Sequence, residues 1–368
     1  MGYVAIKGGE RAIAEAARAM EFARTGDGAA DPLSLPQIET QLRWLHSRVL
    51  SEGGLYSPEL ASLAIKQCGG DPLEAAFTLR AHRSTRPRLL ETPAFDTREM
   101  RLIRRISSAF KEIPGGQRLG PTPDYLLRLF RFELLDESPE AFRAAGGDWL
   151  RDVSASGTPE TLGKVLDALR AEGLVAPPDP AERARVPFDI TRQPLVFPVP
   201  RSAQLAVMAR GETGGLLALA YSTMRGYGDT HPTIAELRVG YLPIRLPHPV
   251  TGEPQEIGEV LMTECEVVAM WEPSEDGAKP SFSLGYGACF GHNEVKAIAM
   301  AILDRALQHG RQHGVSAPAE DPEFVLLHVD GVDSMGFTTH WKLPHYVTFQ
   351  SYLDRLRTTR RRHGEERA

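Results

Sequence analysis

The chain has 368 residues, enough for a sizeable core and more typical of two domains than of one. Its net charge of −6 argues against a general nucleic-acid binder, and no run of about 18 apolar residues predicts a membrane span. The three cysteines are far apart without a CxxC pair, and the first ten residues lack the layout of a secretion signal, so we expect a cytoplasmic protein without a thiolate zinc ribbon.

The first half predicts a series of capped helices. Ser34 and Gln37 are spaced as a capping box, and Gly53-Gly54 follows the apolar face of that helix. A helix opened by Asp96 would carry Arg98, Arg101 and Arg105 as a basic stripe. Other predicted helix starts are Ser57-Pro58, Asp71-Pro72 and Thr158-Pro159.

The second half predicts strands as well as helices. A proline-dense stretch over 176–200 lacks helical periodicity and reads as a linker or crossing segment. Beyond it, "GLLALAYSTM", "GEVLMTECEVVAMW" and "EFVLLHVDGV" predict strands, and "NEVKAIAMAILDRALQ" predicts a helix ending before Gly310. We therefore predict an α+β fold with a helical domain over 1–175, a mixed domain over 201–355 and a disordered basic tail over 356–368.

Two histidines five positions apart, His340 and His345, stand in "THWKLPH". An extended chain would separate them by roughly 16 Å, so they can share a metal ion only if the chain bends, which Pro344 favours. Structural zinc takes four protein ligands, so water, substrate, His328, Asp330 or a neighbouring chain would have to supply the rest. The spacing is not a specific signature, and taken alone it favours the interpretation that one imidazole is packed and the other solvated.

Glu264 and Glu266 in "LMTECEVV" lie on one face of a predicted strand, because side chains alternate with period two. Adjacent carboxylates can split their pKa values and act as acid and base, or bind a cation. They can also merely line a solvated sheet face, which is the commoner outcome for such a pair.

Glycines interleave with charged residues in "IKGGER", "KEIPGGQRLGP" and "STMRGYGDTHP", which contain Lys7, Arg225 and His231. Such segments let a backbone approach phosphate while Lys or Arg binds its oxygens. None matches the P-loop pattern, so a P-loop ATPase is not supported. Residues 80–131 hold twelve Arg or Lys against five Asp or Glu, a surplus that could meet polyphosphate or simply face solvent.

Taken together, these segments resemble the I subunit of the bacterial carbon–phosphorus lyase core complex. The resemblance rests on "YVAIKGGERAI", "RLIRRISSAFKEIPGGQRLGPTPDY", "LALAYSTMRGYGDTHP", "GEVLMTECE" and "FVLLHVDGVDSMGFTTHWKLPHYVTFQ". It implies a complex with G, H and J subunits in phosphonate utilisation. It also implies that His340 and His345 are zinc ligands near the contact with the J subunit.

The activity that the resemblance implies is displacement of adenine from ATP by an alkylphosphonate, giving ribose 1-phosphonate 5-triphosphate. The subunit alone would be a nucleosidase that releases base from ATP or GTP. Breaking a ribose C1′–N bond requires a carboxylate near the developing oxocarbenium ion and a proton donor for the base. The candidates are Glu264, Glu266, Asp330 and His231 for these catalytic roles, and Lys7, Arg225 and Lys342 for the phosphates. Mg²⁺ is expected with the nucleotide, and the alternative is a non-catalytic scaffold that supplies two zinc ligands.

Overall fold

A computed structural model describes residues 9–26, 28, 31–152, 162–175, 186–225, 232–272, 279–343 and 345–365. Its first half is mainly helical. The helices there are α1 (Glu10–Thr25), α2 (Leu35–Gln41), α3 (Arg43–Gly53), α4 (Pro58–Gln67), α5 (Pro72–Ser84), α6 (Pro139–Asp152) and α7 (Val165–Ala171), and strand β1 spans Arg101–Ile106.

The second half combines three long strands with further helices, which confirms the predicted α+β class. The strands are β2 (Thr233–Pro247), β3 (Pro254–Glu272) and β4 (Ser281–Phe290). The helices are α8 (Arg201–Arg210), α9 (Thr213–Ser222), α10 (Glu294–His313), α11 (Pro322–His328), α12 (Gly331–Trp341) and α13 (Tyr346–Glu365).

Several helix starts agree with the sequence. The Ser34–Gln37 capping box forms, and the Asp71 carboxylate accepts hydrogen bonds from the backbone N–H groups of Leu73 and Glu74. The helix predicted from Ser34 is divided at Leu42 into α2 and α3. Leu162, Leu166 and Leu169 are buried as predicted, while the proposed start at Thr158-Pro159 lies outside the described residues.

The four strands form one antiparallel sheet in the order β1-β2-β3-β4. One face packs on α10, where Gly285 allows very close approach: a Cβ at that position would lie 1.9 Å from the carbonyl oxygen of Ala301. Leu237, Cys265 and Cys289 join the same core as α10. The opposite face is partly covered by α7, whose Val165, Leu166 and Leu169 pack with Ala235 and Val268. The sheet therefore has two distinct faces, and alternation assigns each side chain to one of them.

The prediction that a helix carries Arg98, Arg101 and Arg105 is wrong. Asp96 does cap a turn, but the turn is a 3₁₀ helix over Thr97–Glu99 and strand β1 follows. Arg104 and Arg105 are fully buried there, and Arg105 forms an ion pair with Glu236 of β2. Tertiary ion pairing outweighs the local helical pattern, and no basic helical stripe forms from these arginines.

Two apolar runs predicted as strands are helices instead. "GLLALAYSTM" lies largely in α9, where the Glu212 carboxylate accepts from the N–H of Gly215. "EFVLLHVDGV" forms α11 and the start of α12, since Asp321 caps α11 with Pro322 in its first turn. A short apolar run does not distinguish a buried strand from a buried helix. The helix-capping residues that precede these runs indicate that both are helical.

The predicted end of the long helix before Gly310 is also wrong. α10 continues to His313, and Gly310 is buried inside it. A Cβ there would lie 2.4 Å from the carbonyl oxygen of Glu320. The glycine therefore permits close packing of the following 3₁₀ turn (Pro318–Glu320) and does not end the helix.

The division into two domains stays a prediction, although β1 from the first half pairs with β2 from the second. The tail expected to be disordered from 356 lies within α13 as far as Glu365. In the described ranges, none of the helices has the length and apolar character needed to cross a bilayer.

Candidate functional site

His340 and His345 converge at the connection between α12 and α13. His340 lies in the last turn of α12, and its Nε2 is 3.3 Å from Nε2 of His345. The Nδ1 atom of His345 is 2.5 Å from the carbonyl oxygen of Leu343. Because a carbonyl oxygen only accepts, Nδ1 is the protonated nitrogen in the neutral form of the ring, and Nε2 then carries the lone pair that a metal ion would accept. The chain bends as a shared metal site would require.

The geometry of the pair fits zinc. Two ligand nitrogens at 2.0–2.1 Å from a tetrahedral ion lie about 3.3 Å apart, and the contact between Nδ1 of His345 and a backbone carbonyl is the usual way to orient a histidine ligand. Asp330 begins α12 and lies about 15 Å along the helix axis from His340. Among the described residues, no group of three or more His, Cys, Asp or Glu could hold a metal ion. The pair therefore offers two ligands of an incomplete set.

The surroundings of the pair are aromatic and exposed. The Trp341 ring stacks on His345 with centroids 5.5 Å apart, and Phe337 packs edge-on against Trp341. Lys342 is exposed beside them. The α12–α13 apolar surface consists of the exposed side chains of Phe337, Trp341, Tyr346, Val347, Phe349, Tyr352 and Leu356. Exposed apolar patches of this kind typically mark interaction surfaces.

Glu264 and Glu266 lie together on the sheet face that points away from α10, and both are buried. The Lys164 ammonium group is 2.9 Å from Glu264 and 3.0 Å from Glu266. Glu264 also accepts hydrogen bonds from the hydroxyl groups of Thr97, at 2.8 Å, and Tyr286, at 2.9 Å. The interpretation that Glu264 and Glu266 line a solvated sheet face is therefore wrong, because α7 and the turn before β1 cover the two carboxylates.

The charges of this cluster balance. Arg238 contacts Glu264 at 3.5 Å, and Arg105 pairs with Glu236. The three carboxylates Glu236, Glu264 and Glu266 thus face the three cations Lys164, Arg105 and Arg238. This is the arrangement that makes buried charges tolerable in a protein interior.

Burial sets the pKa values in the cluster. Burial raises the pKa of Glu266, which the charge of Lys164 only partly offsets. Burial would lower the pKa of Lys164, but its two carboxylate partners outweigh that effect and raise it. The pKa of the Tyr286 hydroxyl is raised by burial and by Glu264. Lys164 stays charged, and Tyr286 stays a hydrogen-bond donor.

Asp330 does not join the two glutamates. Its carboxylate caps α12 by accepting from the N–H groups of Val332 and Asp333, and binds Arg80 at 2.8 Å. Gly331 beside it packs against Glu212, whose neighbouring helices α8 and α9 pack with α10. The sheet therefore separates Asp330 from Glu264 and Glu266.

The remaining candidates are scattered or outside the described residues. Arg225 is exposed at the end of α9, where it donates to the Tyr221 hydroxyl at 2.7 Å. Lys7 and His231 lie outside the described residues. Sequence reasoning missed Lys164, Tyr286 and Arg238; of these, only Arg238 had a signal, since it alternates with Glu236 along one strand face.

Comparison with known proteins identifies the family. The family model described as bacterial phosphonate metabolism protein (PhnI) matches residues 2–363. The chain belongs to the PhnI family. It is 46% identical over 358 residues to the alpha-D-ribose 1-methylphosphonate 5-triphosphate synthase subunit PhnI of Escherichia coli (strain K12), covering 96% of this chain and 97% of that protein.

Two further relatives span nearly the whole chain. The PhnI subunit of the same synthase from Rhizobium meliloti (strain 1021) is 42% identical over 367 residues, covering 100% of this chain and 97% of that protein. A protein named as a C-P lyase subunit, HtxH, from Stutzerimonas stutzeri is 69% identical over 360 residues, covering 98% of this chain and 96% of that protein. The resemblance that the sequence motifs carried is confirmed.

Proposed function

We propose that this chain is a subunit of a carbon–phosphorus lyase core complex. With G, H and J subunits it would displace adenine from ATP by an alkylphosphonate to give ribose 1-phosphonate 5-triphosphate. Full-length similarity to proteins named as subunits of alpha-D-ribose 1-methylphosphonate 5-triphosphate synthase supports this role. The exposed α12–α13 apolar surface supports assembly with other chains.

The observation that carries the proposal is the 3.3 Å separation of the two Nε2 atoms of His340 and His345. These two atoms would hold a zinc ion, whose remaining positions would be filled at a subunit contact by another chain, water or substrate. Zinc bound there would polarise a coordinated oxygen atom. The orienting contact of His345 with Leu343 and the stacked Trp341 would hold one ligand ring in place.

The reaction balances as a substitution at C1′ of the ribose. An oxygen atom of the phosphonate monoanion forms the new bond to C1′, the C1′–N bond breaks, and adenine leaves with the proton that the phosphonate gives up. Water replaces the phosphonate when the chain acts alone, and the products are then the free base and ribose 5-triphosphate. Lys342 is exposed next to the histidine pair, where it can contact phosphate oxygens, with Mg²⁺ bound to the triphosphate.

A non-catalytic scaffold is the second candidate, and the environment of the glutamates favours it. Glu264 is buried and already accepts from Lys164, Thr97 and Tyr286. A carboxylate so placed has no open side for a ribose ring. In this alternative the chain supplies two zinc ligands at the contact with the J subunit, and the chemistry belongs to other subunits.

The experiment compares the purified chain with the assembled complex. Incubation with ATP or GTP, followed by chromatography of the released base, tests nucleosidase activity, and adding methylphosphonate to the complex tests product formation. We expect base release by the isolated chain, and product formation only by the complex with methylphosphonate. Product formation by the intact complex without base release by the isolated chain would support the scaffold and overturn the catalytic proposal.

Variants of the candidate residues test which of them take part in the reaction. His340→Ala combined with His345→Ala should abolish product formation if the pair serves this reaction, while His82→Ala on α5 removes a histidine elsewhere and should leave it unchanged. Glu264→Gln preserves the shape of the side chain and tests catalysis with less structural damage than alanine. Product formation that survives in a well-folded Glu264→Gln complex would remove Glu264 from the catalytic candidates.

A further inference from the structure

Three arginines meet where helices α3, α5, α8 and α12 come together. Arg80 and Arg83 lie one turn apart on α5, and Arg210 is the last residue of α8. Gly54, which ends α3 in the left-handed conformation with φ of 62°, lies between two of them. A Cβ at Gly54 would be 3.3 Å from both Nη1 of Arg83 and Cδ of Arg210. The two side chains therefore flank a single glycine.

The arginines differ in their partners. Arg80 binds both carboxylate oxygens of Asp330, at 2.9 and 2.8 Å, and donates to the carbonyl oxygen of Glu52 at 2.7 Å. Arg83 donates to the carbonyl oxygen of Gly54 at 3.0 Å, and no described carboxylate lies within 4.0 Å of it. Arg210 has only a 3.9 Å contact with Asp330, and its buried Nε has no hydrogen-bond partner in the described part of the chain.

The nearby carboxylates are engaged by other groups. Asp189, which acts on Arg83 from a distance, is bound by Arg88 at 2.7 Å. Asp330 is bound by Arg80, and Asp333 acts on Arg210 only from a distance. Burial lowers the pKa of Arg83 and of Arg210, and the charge of Arg80 lowers both further. Positive charge at this junction is thus half-buried and only partly compensated, a costly arrangement.

We propose that Arg83 and Arg210, with Arg80 fixed behind them, form a binding site for a phosphate-class oxyanion beside Gly54. A tetrahedral dianion accepts charge-assisted hydrogen bonds from two guanidinium groups, and the side chains of Arg83 and Arg210 both reach the same glycine. The same chemistry is present in free phosphate and in the phosphate tail of a nucleotide. Arg80 and Arg210 contact Asp330 at the start of α12, and Asp330 lies about 15 Å along the helix axis from His340.

The experiment measures binding without turnover, so its result does not depend on the proposed function. Full-length chain and assembled complex are titrated by calorimetry with inorganic phosphate, tripolyphosphate and ATP at constant ionic strength. Arg83→Gln and Arg210→Gln each remove one guanidinium. Arg86→Gln is the matched control, because Arg86 follows the same helix and is exposed, bonded only to His82 among the contacts described. Arg83→Lys keeps the charge but loses the planar pair of donors.

We expect one of the three probes to bind the unmodified protein and to bind about tenfold or more weakly in Arg83→Gln and Arg210→Gln, the size of a lost charge-assisted hydrogen bond. Arg86→Gln should weaken binding of the probe far less. The affinity of Arg83→Lys for the probe should lie between those of the unmodified protein and Arg83→Gln. The bound probe should also raise the melting temperature of the unmodified chain more than that of either variant. Binding of inorganic phosphate identifies a single-phosphate site, whereas binding of tripolyphosphate and ATP alone identifies the tail of a nucleotide.

Failure of all three probes to bind would overturn the proposal. Equal weakening in Arg86→Gln would also overturn it, because a general electrostatic field would then explain the binding. A purely structural role for the arginines predicts a lower melting temperature in both Gln variants without a change in binding, and this outcome would contradict the proposal as well.

Discussion

The Nε2 atom of His345 lies 3.3 Å from the Nε2 atom of His340, and the opposite nitrogen of His345 is held by the carbonyl oxygen of Leu343. This relationship turns a five-residue spacing without a specific signature into a geometry that two zinc ligands adopt. It also places the candidate metal ligands beside the α12–α13 apolar surface, where a partner chain can reach them.

Lys164 is predicted to stabilise the folded protein strongly. Lys164→Met removes the shared cation of Glu264 and Glu266 and leaves uncompensated carboxylates in the interior. We expect a loss of about 3–5 kcal/mol in the free energy of unfolding, measured by urea denaturation. The exposed Lys111→Met should change this free energy by no more than about 0.5 kcal/mol. Equal stability of the two variants would show that the cluster is not formed.

Asp330 is predicted to act in structure and not in catalysis. Asp330→Asn retains a side chain able to cap α12 but loses the charge that binds Arg80, whereas Asp330→Ala loses both. We expect Asp330→Ala to be less stable than Asp330→Asn by about 1 kcal/mol, the usual value of a cap. The Asn variant should retain base release in the assembled complex. Loss of base release from a folded Asn variant would restore Asp330 as a catalytic group.

The buried Lys296 gives a pH-dependent stability. Its ammonium group donates to the Ser51 hydroxyl at 2.7 Å, and burial lowers its pKa from 10.5 to about 8. Between these two values the unfolded chain binds more protons than the folded chain, so this group makes the folded state more stable as the pH rises. Across this pH range, the titration of Lys296 raises the free energy of unfolding by on the order of 3 kcal/mol.

Other groups also titrate in this range, so the test is a difference between variants. Lys296→Met has no amino group to titrate at this position. The free energy of unfolding of the unmodified chain minus that of Lys296→Met should therefore increase from pH 8 to pH 10. Lys111→Met should follow the unmodified chain. A constant difference between the unmodified chain and Lys296→Met across this range would contradict the lowered pKa of Lys296.

Gly285 is predicted to be required for the packing of α10 on the sheet. Gly285→Ala would place a methyl group 1.9 Å from the carbonyl oxygen of Ala301, so strand or helix must shift. We expect a loss of about 1–3 kcal/mol or more. Gly146→Ala in α6 is the matched control: it has open space around the new methyl group and should be neutral or stabilising. Thermal unfolding of both variants distinguishes a packing effect from a general effect of replacing glycine.

The sequence was most informative where local chemistry decides the structure. The capping residues Ser34 and Asp71 predicted helix starts, and strict alternation predicted that Glu264 and Glu266 share a face. Sequence-based prediction failed where residues distant in the chain determine the local structure. Arg104 and Arg105 lie in a strand because their ion-pair partners are elsewhere in the chain, and no local pattern contains that information.

The candidate site shows the same division. The convergence of His340 and His345 depends on a bend within six residues, so it could be considered from the sequence alone. The neutralisation of Glu264 and Glu266 by Lys164 joins residues 100 and 102 positions apart. Only the folded structure reveals that these carboxylates are paired inside the molecule, on the other side of the sheet from Asp330.

The most direct test of the central claim is the zinc content of the assembled complex, measured by inductively coupled plasma mass spectrometry on matched preparations. If His340 and His345 hold zinc, the double variant His340→Ala, His345→Ala should lose one zinc ion for each copy of this chain, while His82→Ala should lose none. Zinc content in the double variant equal to that of the unmodified complex would contradict the assignment of these two histidines as metal ligands.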